Sequence, residues 1–211
     1  MHATEPLKGV FLEEYATWNV KGSSLLRVGD WAVETLYSFE TCALQEVGGL
    51  GELNSISTGA SSLREILIPP DHDLSDFRVF GTDHIDSYLG QVILLERRSV
   101  QYVIGGYSGS RYVAVRYVDG RGLQKLFISV HFPHSDNADD SFSGAIFELG
   151  KFLREWQGIC TIVAGDWNTE PGDSRHAELM QMFAERGFQV HAPTCLLYTS
   201  PSPRDLNPNR V

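Results

Sequence analysis

The chain has 211 residues and a formal charge of −10 at neutral pH. The length suits one α/β domain, and 42% apolar residues allow a sizeable core only if its sheets are complete. An acidic chain is a poor non-specific nucleic-acid binder, because neutralising phosphates takes Lys and Arg, although a divalent metal in a cleft offsets that charge. Cys42 and Cys160 fall inside apolar runs and are expected as buried free thiols. No disulfide framework is expected, which favours a reducing, intracellular compartment. The start does not read as a signal peptide, and no run is long enough to span a membrane.

In chain order, Tyr15 to Val20 is a short aromatic and β-branched run ending on an amide side. Ser24 to Phe39 reads as the first helix, with Leu25, Leu26, Ala32, Val33 and Leu36 near helical spacing. Cys42 to Val47 is an apolar strand carrying a carboxylate near its end, and residues 48–62 are a Gly/Ser-rich loop. Gln91–Leu95, Tyr102–Ile104 and Arg111–Val118 are short strands, separated by turn signals at Gly105-Gly106 and Asp119-Gly120. Phe127 to Phe132 is a strand carrying an imidazole.

Ser141 to Trp156 is the clearest helix, with a stripe of Phe142, Ala145, Leu149, Phe152 and Trp156 that belongs to the core. Cys160 to Ala164 is a buried strand, and His176 to Arg186 a last helix stopped at Gly187. Asp83-His84 reads as a loop, and His134, after Pro133, as a solvated loop histidine.

The strand ends carry the chemistry. Val163-Ala164-Gly165-Asp166-Trp167-Asn168 delivers an acid and an amide two residues apart, on one face of an extended segment. By itself Gly-Asp-x-Asn reads equally well as a turn. Asn19, Glu46 and His131 stand at or near the ends of three further strands, and each has an innocent reading as a strand-end amide, a solvated acid or a core histidine.

Trp18-Asn19, Leu44-Gln45-Glu46, Ser129-Val130-His131 and Gly165-Asp166-Trp167-Asn168, in this order, resemble the endonuclease/exonuclease/phosphatase superfamily, the deoxyribonuclease I-like proteins. The likeness covers about residues 10–194, one domain. It implies a four-layer α/β sandwich, two mixed sheets packed face to face with helices outside. It also implies a phosphodiester or phosphoester hydrolase using Mg²⁺ or Mn²⁺, expected as a monomer acting on nucleic acid.

Residue by residue, the resemblance makes Glu46 the metal ligand. Asn19 orients a phosphate or binds metal through its amide oxygen. Asp166 positions or deprotonates the attacking water. Asn168 donates to the phosphate, and His131 donates a proton or hydrogen bond to a phosphate oxygen. Arg111 and Arg116 fall on a strand facing the cleft of the family. Abasic-site endonucleases carry an acid where Lys21 stands and a Tyr where His131 stands, so that branch is disfavoured. A lipid or inositol phosphate phosphoesterase and a non-catalytic binding module are the alternatives. The region 48–86 holds only Arg64 and Arg78 as cations, few for a polyphosphate.

One in-frame back-translation of residues 195–205, opening Cys195-Leu196-Leu197-Tyr198-Thr199-Ser200, resembles a transposase-type sequencing adapter, so residues 195–211 are expected to be non-native. They hold Arg204, Arg210 and Asp205, a net +1, so the remaining residues carry −11. Relatives continue after a Pro-Thr like Pro193-Thr194 with two strands bearing an Asp and an Asp-His pair. Lacking these last strands, the chain is expected to be inactive and marginally folded.

Overall fold

The computed structural model describes residues 13–58, 63–82, 89–133 and 142–189. Ten strands and three helices follow one another in these segments. They are β1 (Glu13–Asn19), α1 (Leu25–Leu36), β2 (Phe39–Gly48), β3 (Ser55–Ser57), β4 (Arg64–Ile66), β5 (Phe77–Thr82) and β6 (Leu89–Glu96). There follow β7 (Val100–Ser108), β8 (Tyr112–Asp119), β9 (Gln124–His131), α2 (Phe142–Glu155), β10 (Cys160–Asp166) and α3 (Ser174–Glu185). Asp83-His84, His134 and residues 195–211 lie outside the described residues.

The strands form two mixed sheets, ordered β1-β2-β6-β5-β4-β3 and β10-β9-β8-β7. β1 pairs parallel to β2, and β10 parallel to β9. The other pairs are antiparallel. The expected sandwich of two mixed sheets is therefore present. The parallel pairs bring the carboxyl ends of four strands to one end of the sandwich.

Three apolar layers hold the molecule together. Ala43, Phe80, Ile93, Leu95, Val113, Val115, Tyr117 and Phe127 fill the space between the sheets. Leu25, Val28, Ala32 and Leu36 pack α1 on the outer face of the first sheet, against Cys42, Leu44, Val92 and Leu94. The stripe read from α2, Phe142, Ala145, Leu149 and Phe152, covers the second sheet at Ala114, Ile128 and Val130, with Leu179 and Phe183 of α3 beside it. Alternation along β9 and β10 sorts these faces. Phe127 and Ile162 point between the sheets, Ile128 and Val163 toward the helices.

Three sequence expectations are corrected. Gly105-Gly106 is not a turn but lies inside β7, where the register slips between Val103 and Gly105. A Cβ on Gly106 would meet Leu63 Cδ2 at 2.3 Å, so the glycine serves close packing. β5 carried no strand expectation. Its sequence, FRVFGT, is buried on both faces apart from half-buried Arg78, because it sits mid-sheet, and it shows no alternation to read. Cys160 is exposed, being the first residue of the edge strand β10, whereas Cys42 is buried and its thiol is pushed up to about 12 by desolvation. The 48–62 segment is not loop throughout, since it contains a 3₁₀ turn at Leu50–Glu52 and β3.

Candidate active site

β1 ends on Asn19 and β2 runs past Glu46 in one sheet, while β9 ends on His131 and β10 on Asp166 in the other. His131 and Asp166 are direct partners across the parallel pair. The two sheets meet through these side chains. Asn19 Nδ2 donates to Asp166 Oδ2 at 2.9 Å across 147 residues of sequence, and His131 Nε2 lies 3.4 Å from Glu46 Oε1.

Glu46 reaches the cleft through a local irregularity. The pairing of β2 with β6 shifts between Leu44 and Val47, and Glu46 adopts φ +55°. Simple alternation would send residue 46 to the outer face with Cys42 and Leu44. The bulge re-aims its side chain between the sheets, a common use of bulges beside functional sites. The distorted backbone is held by Val20 N–H donating to the Gln45 carbonyl at 2.9 Å and Gly22 N–H to the Glu46 carbonyl at 2.7 Å.

The Asp166 loop is equally constrained. Gly165 has φ +149°, and a Cβ there would stand 2.0 Å from the Val130 carbonyl oxygen, so only glycine fits. Asp166 Oδ1 accepts the Asn168 backbone N–H at 3.1 Å in an Asx turn, Asn168 takes φ +48°, and its Nδ2 donates to the Phe132 carbonyl at 2.7 Å. The turn reading of Gly-Asp-x-Asn and the site reading are thus both true of the same residues. Trp167, between them, points to the opposite face and packs edge-on against Phe132 and Phe183.

Two hydrogen bonds fix the amide of Asn19. Its Oδ1 accepts the Lys21 N–H at 3.0 Å, while its Nδ2 faces the Asp166 carboxylate. Both neighbours demand this orientation, since a backbone N–H needs an acceptor and a carboxylate a donor. The Asn19 oxygen therefore turns toward its own loop.

The two strand arginines separate. Arg116 leaves the inter-sheet face, stacks on Trp156 with Cζ 5.2 Å from the ring and donates to Gln124 at 2.8 Å. Arg111 pairs backbone to backbone with His131, whose N–H its carbonyl accepts at 3.0 Å, so the two side chains share a face. Partial burial holds its guanidinium below the usual range.

Among the described residues, no three His, Cys, Asp or Glu side chains close into a metal pocket. A hard divalent cation that keeps several waters needs only one or two carboxylates, so the set fits such an ion through Glu46. Glu46 and His131 are 28% and 26% exposed, open to solvent and to a ligand.

Solved structures share this architecture. The endonuclease domain of TRAS1, a telomere-specific non-LTR retrotransposon, superposes with TM-score 0.57 at 16% identity, over 81% of this chain and 70% of its own. An endonuclease/exonuclease/phosphatase family protein from Bacteroides thetaiotaomicron gives 0.56 at 11%, over 79% and 67%. The chain has the endonuclease/exonuclease/phosphatase fold. TDP2 of D. rerio, complexed with a single-strand DNA product, shares that fold with TM-score 0.54 at 16% identity, over 83% and 70%. No protein-family model matches the chain, and no curated protein sequence does. In this endonuclease/exonuclease/phosphatase fold the five side chains read from the sequence stand at one end of the sandwich.

Sequence reasoning missed Gln45, Ser129 and Gln91, which lie buried beneath these five. The Leu44-Gln45-Glu46 motif contained the first of them, and alternation placed Ser129 on the same face as His131.

Proposed function

We propose that the protein is a divalent-metal-dependent phosphodiesterase of the nuclease type, with nucleic acid as substrate. The observation that carries this reading is the Asn19–Asp166 hydrogen bond across the two sheets, with Glu46 and His131 3.4 Å apart beside it. Glu46 would hold Mg²⁺ or Mn²⁺, which supplies charge stabilisation at a phosphate oxygen. Asp166 uses one lone pair of each oxygen on Asn19 and Asn168, which leaves the others to align a water. Asn19 serves here by orienting Asp166. Asn168 spends one amide hydrogen on Phe132 and has a second to offer a phosphate. His131 would donate to a phosphate oxygen once Glu46 turns to the ion.

A nucleic-acid substrate is supported by the structural neighbours, whose names include a retrotransposon endonuclease and a DNA-product complex. The polyphosphate alternative loses support from its own cations. Arg78 is bound bidentately by Glu65 at 2.8 and 2.7 Å, and Arg64 donates to Ser55 at 3.4 Å. Among the described residues no helix is long and apolar enough to cross a membrane. We propose a monomer, and a domain spanning residues 10–194.

The test has two parts. Mn²⁺ binding to this chain, followed by electron paramagnetic resonance, should be lost in Glu46→Gln. Plasmid cleavage by the protein should be assayed with Mg²⁺ and with excess chelator. Cleavage that persists in chelator, or Mn²⁺ binding untouched by Glu46→Gln, overturns the reading.

A further inference from the structure

Gln45 is 1% exposed and sits next to Glu46, at the bulge that turns Glu46 into the cleft. Its carboxamide joins the sheets. Thr17 Oγ1 donates to Gln45 Oε1 at 3.1 Å, Gln45 Nε2 donates to Ser129 Oγ at 3.0 Å, and Ser129 Oγ donates to Gln91 Oε1 at 3.3 Å. The donors run in one sense along the chain, from Thr17 through Gln45 and Ser129 to Gln91. Thr17 lies two residues before Asn19 on β1, and Ser129 two before His131 on β9, each on the same face as the side chain it precedes.

The rest of the inter-sheet layer at this level is apolar, with Ala43, Ile93, Val113, Val115 and Phe127. Apolar packing sets the thickness of such a layer but is non-directional, and it resists sliding of one sheet on the other weakly. A hydrogen bond is directional and fixes a distance near 2.9 Å. We infer that Gln45 is a positioning residue, whose carboxamide fixes the strand ends bearing Asn19 and Glu46 against the strand end bearing His131. The role rests on the proposed reading of the cleft, where a misplacement of about 1 Å costs roughly a hundredfold in rate.

The test replaces Gln45 by Met, similar in size and unable to make either bond, and compares it with Lys125→Met at the opposite end of the same strands. Amide hydrogen exchange and Mn²⁺ binding are read in both. In Gln45→Met, exchange should quicken in 17–22, 44–48 and 129–132 and not in 117–125, and the Mn²⁺ dissociation constant should rise roughly tenfold or more, as when a ligand loses its orienting partner. Lys125→Met should lower stability and leave the Mn²⁺ affinity of the folded protein unchanged. Should Gln45→Met fold poorly, Ser129→Ala removes the same bond from the other sheet and should give the same pattern. Cleft exchange and affinity at wild-type values in the Gln45 and Ser129 variants overturn the inference, as does an equal change in Lys125→Met. A wild-type protein that binds no Mn²⁺ overturns the proposed function instead, and the exchange pattern still decides the role of Gln45.

Discussion

Strands β2 and β9 each carry polar residues at both ends, and the two ends are built differently. Glu40 and Lys125 stand six residues before Glu46 and His131, about 20 Å away along an extended strand. At that far pole Lys125 Nζ lies 3.0 Å from Glu40 and 3.2 Å from Asp119, with Lys125 2% and Asp119 1% exposed. Tyr117 Oη donates to the same Glu40 oxygen at 3.0 Å, and the Arg121 and Leu123 N–H groups donate to Asp119 at 2.9 Å. At the cleft the charged groups are about a quarter exposed, the closest Glu–His approach is 3.4 Å, and Lys21, Glu46 and Asn168 all have positive φ. One end is sealed and internally satisfied. The other is open to solvent and built on non-glycine residues at positive φ, the state expected of a ligand site.

That contrast is open to attack from both ends. The largest effect is expected at the sealed pole. Lys125→Met leaves Glu40 and Asp119 buried without their cation and should cost about 3–5 kcal/mol of stability, measured by urea unfolding. A loss no larger than that of a surface substitution would show that the pole is wetter than its burial implies.

Asp166→Asn should do the reverse. An amide there presents a donor to Asn19 Nδ2 or to the Asn168 N–H, and the rate of metal-dependent plasmid cleavage should fall by roughly two orders of magnitude. Stability should change little, because the group is half-buried. Unchanged turnover would remove Asp166 from the site.

The smallest effect lies in pH dependence. Burial pulls the Lys125 ammonium down, but its bond to Glu40 and the neighbouring negative groups outweigh this and hold it above its ordinary 10.5. Burial likewise raises the Asp119 carboxyl, and the Leu123 and Arg121 N–H groups together with Lys125 outweigh it and hold it below 3.8. A raised base stabilises the fold below its unfolded value and loses that contribution as pH rises through the folded value. A lowered acid stabilises above its unfolded value and loses it as pH falls through the folded one. The stability gap between wild type and Lys125→Met should therefore be flat from about pH 5 to 9 and narrow at both extremes. A gap that tracks pH through neutrality would assign it to another group.

What the sequence determined is what local alternation and turn chemistry encode. The Phe142-to-Trp156 stripe gave α2 its buried face, and Asp166 and Asn168 share a turn because Gly165 admits the backbone it needs and the short polar side chains close it. Four strand-end motifs named the residues that meet at the cleft, through a resemblance that the fold upholds. Tertiary structure decided the rest. Glu46 faces the cleft only because β2 bulges against β6, and a bulge is a property of the pair, not of either strand. Gly105-Gly106 continues a strand because Leu63 lies over it, and β5 is a strand because both its faces are covered. Lys125, Glu40 and Asp119 are brought together and buried only when the sheets close on them. Gln45 joins groups 28 and 84 residues away. Such partners are invisible to any local pattern, because the distance that matters to a hydrogen bond is set only when two sheets pack.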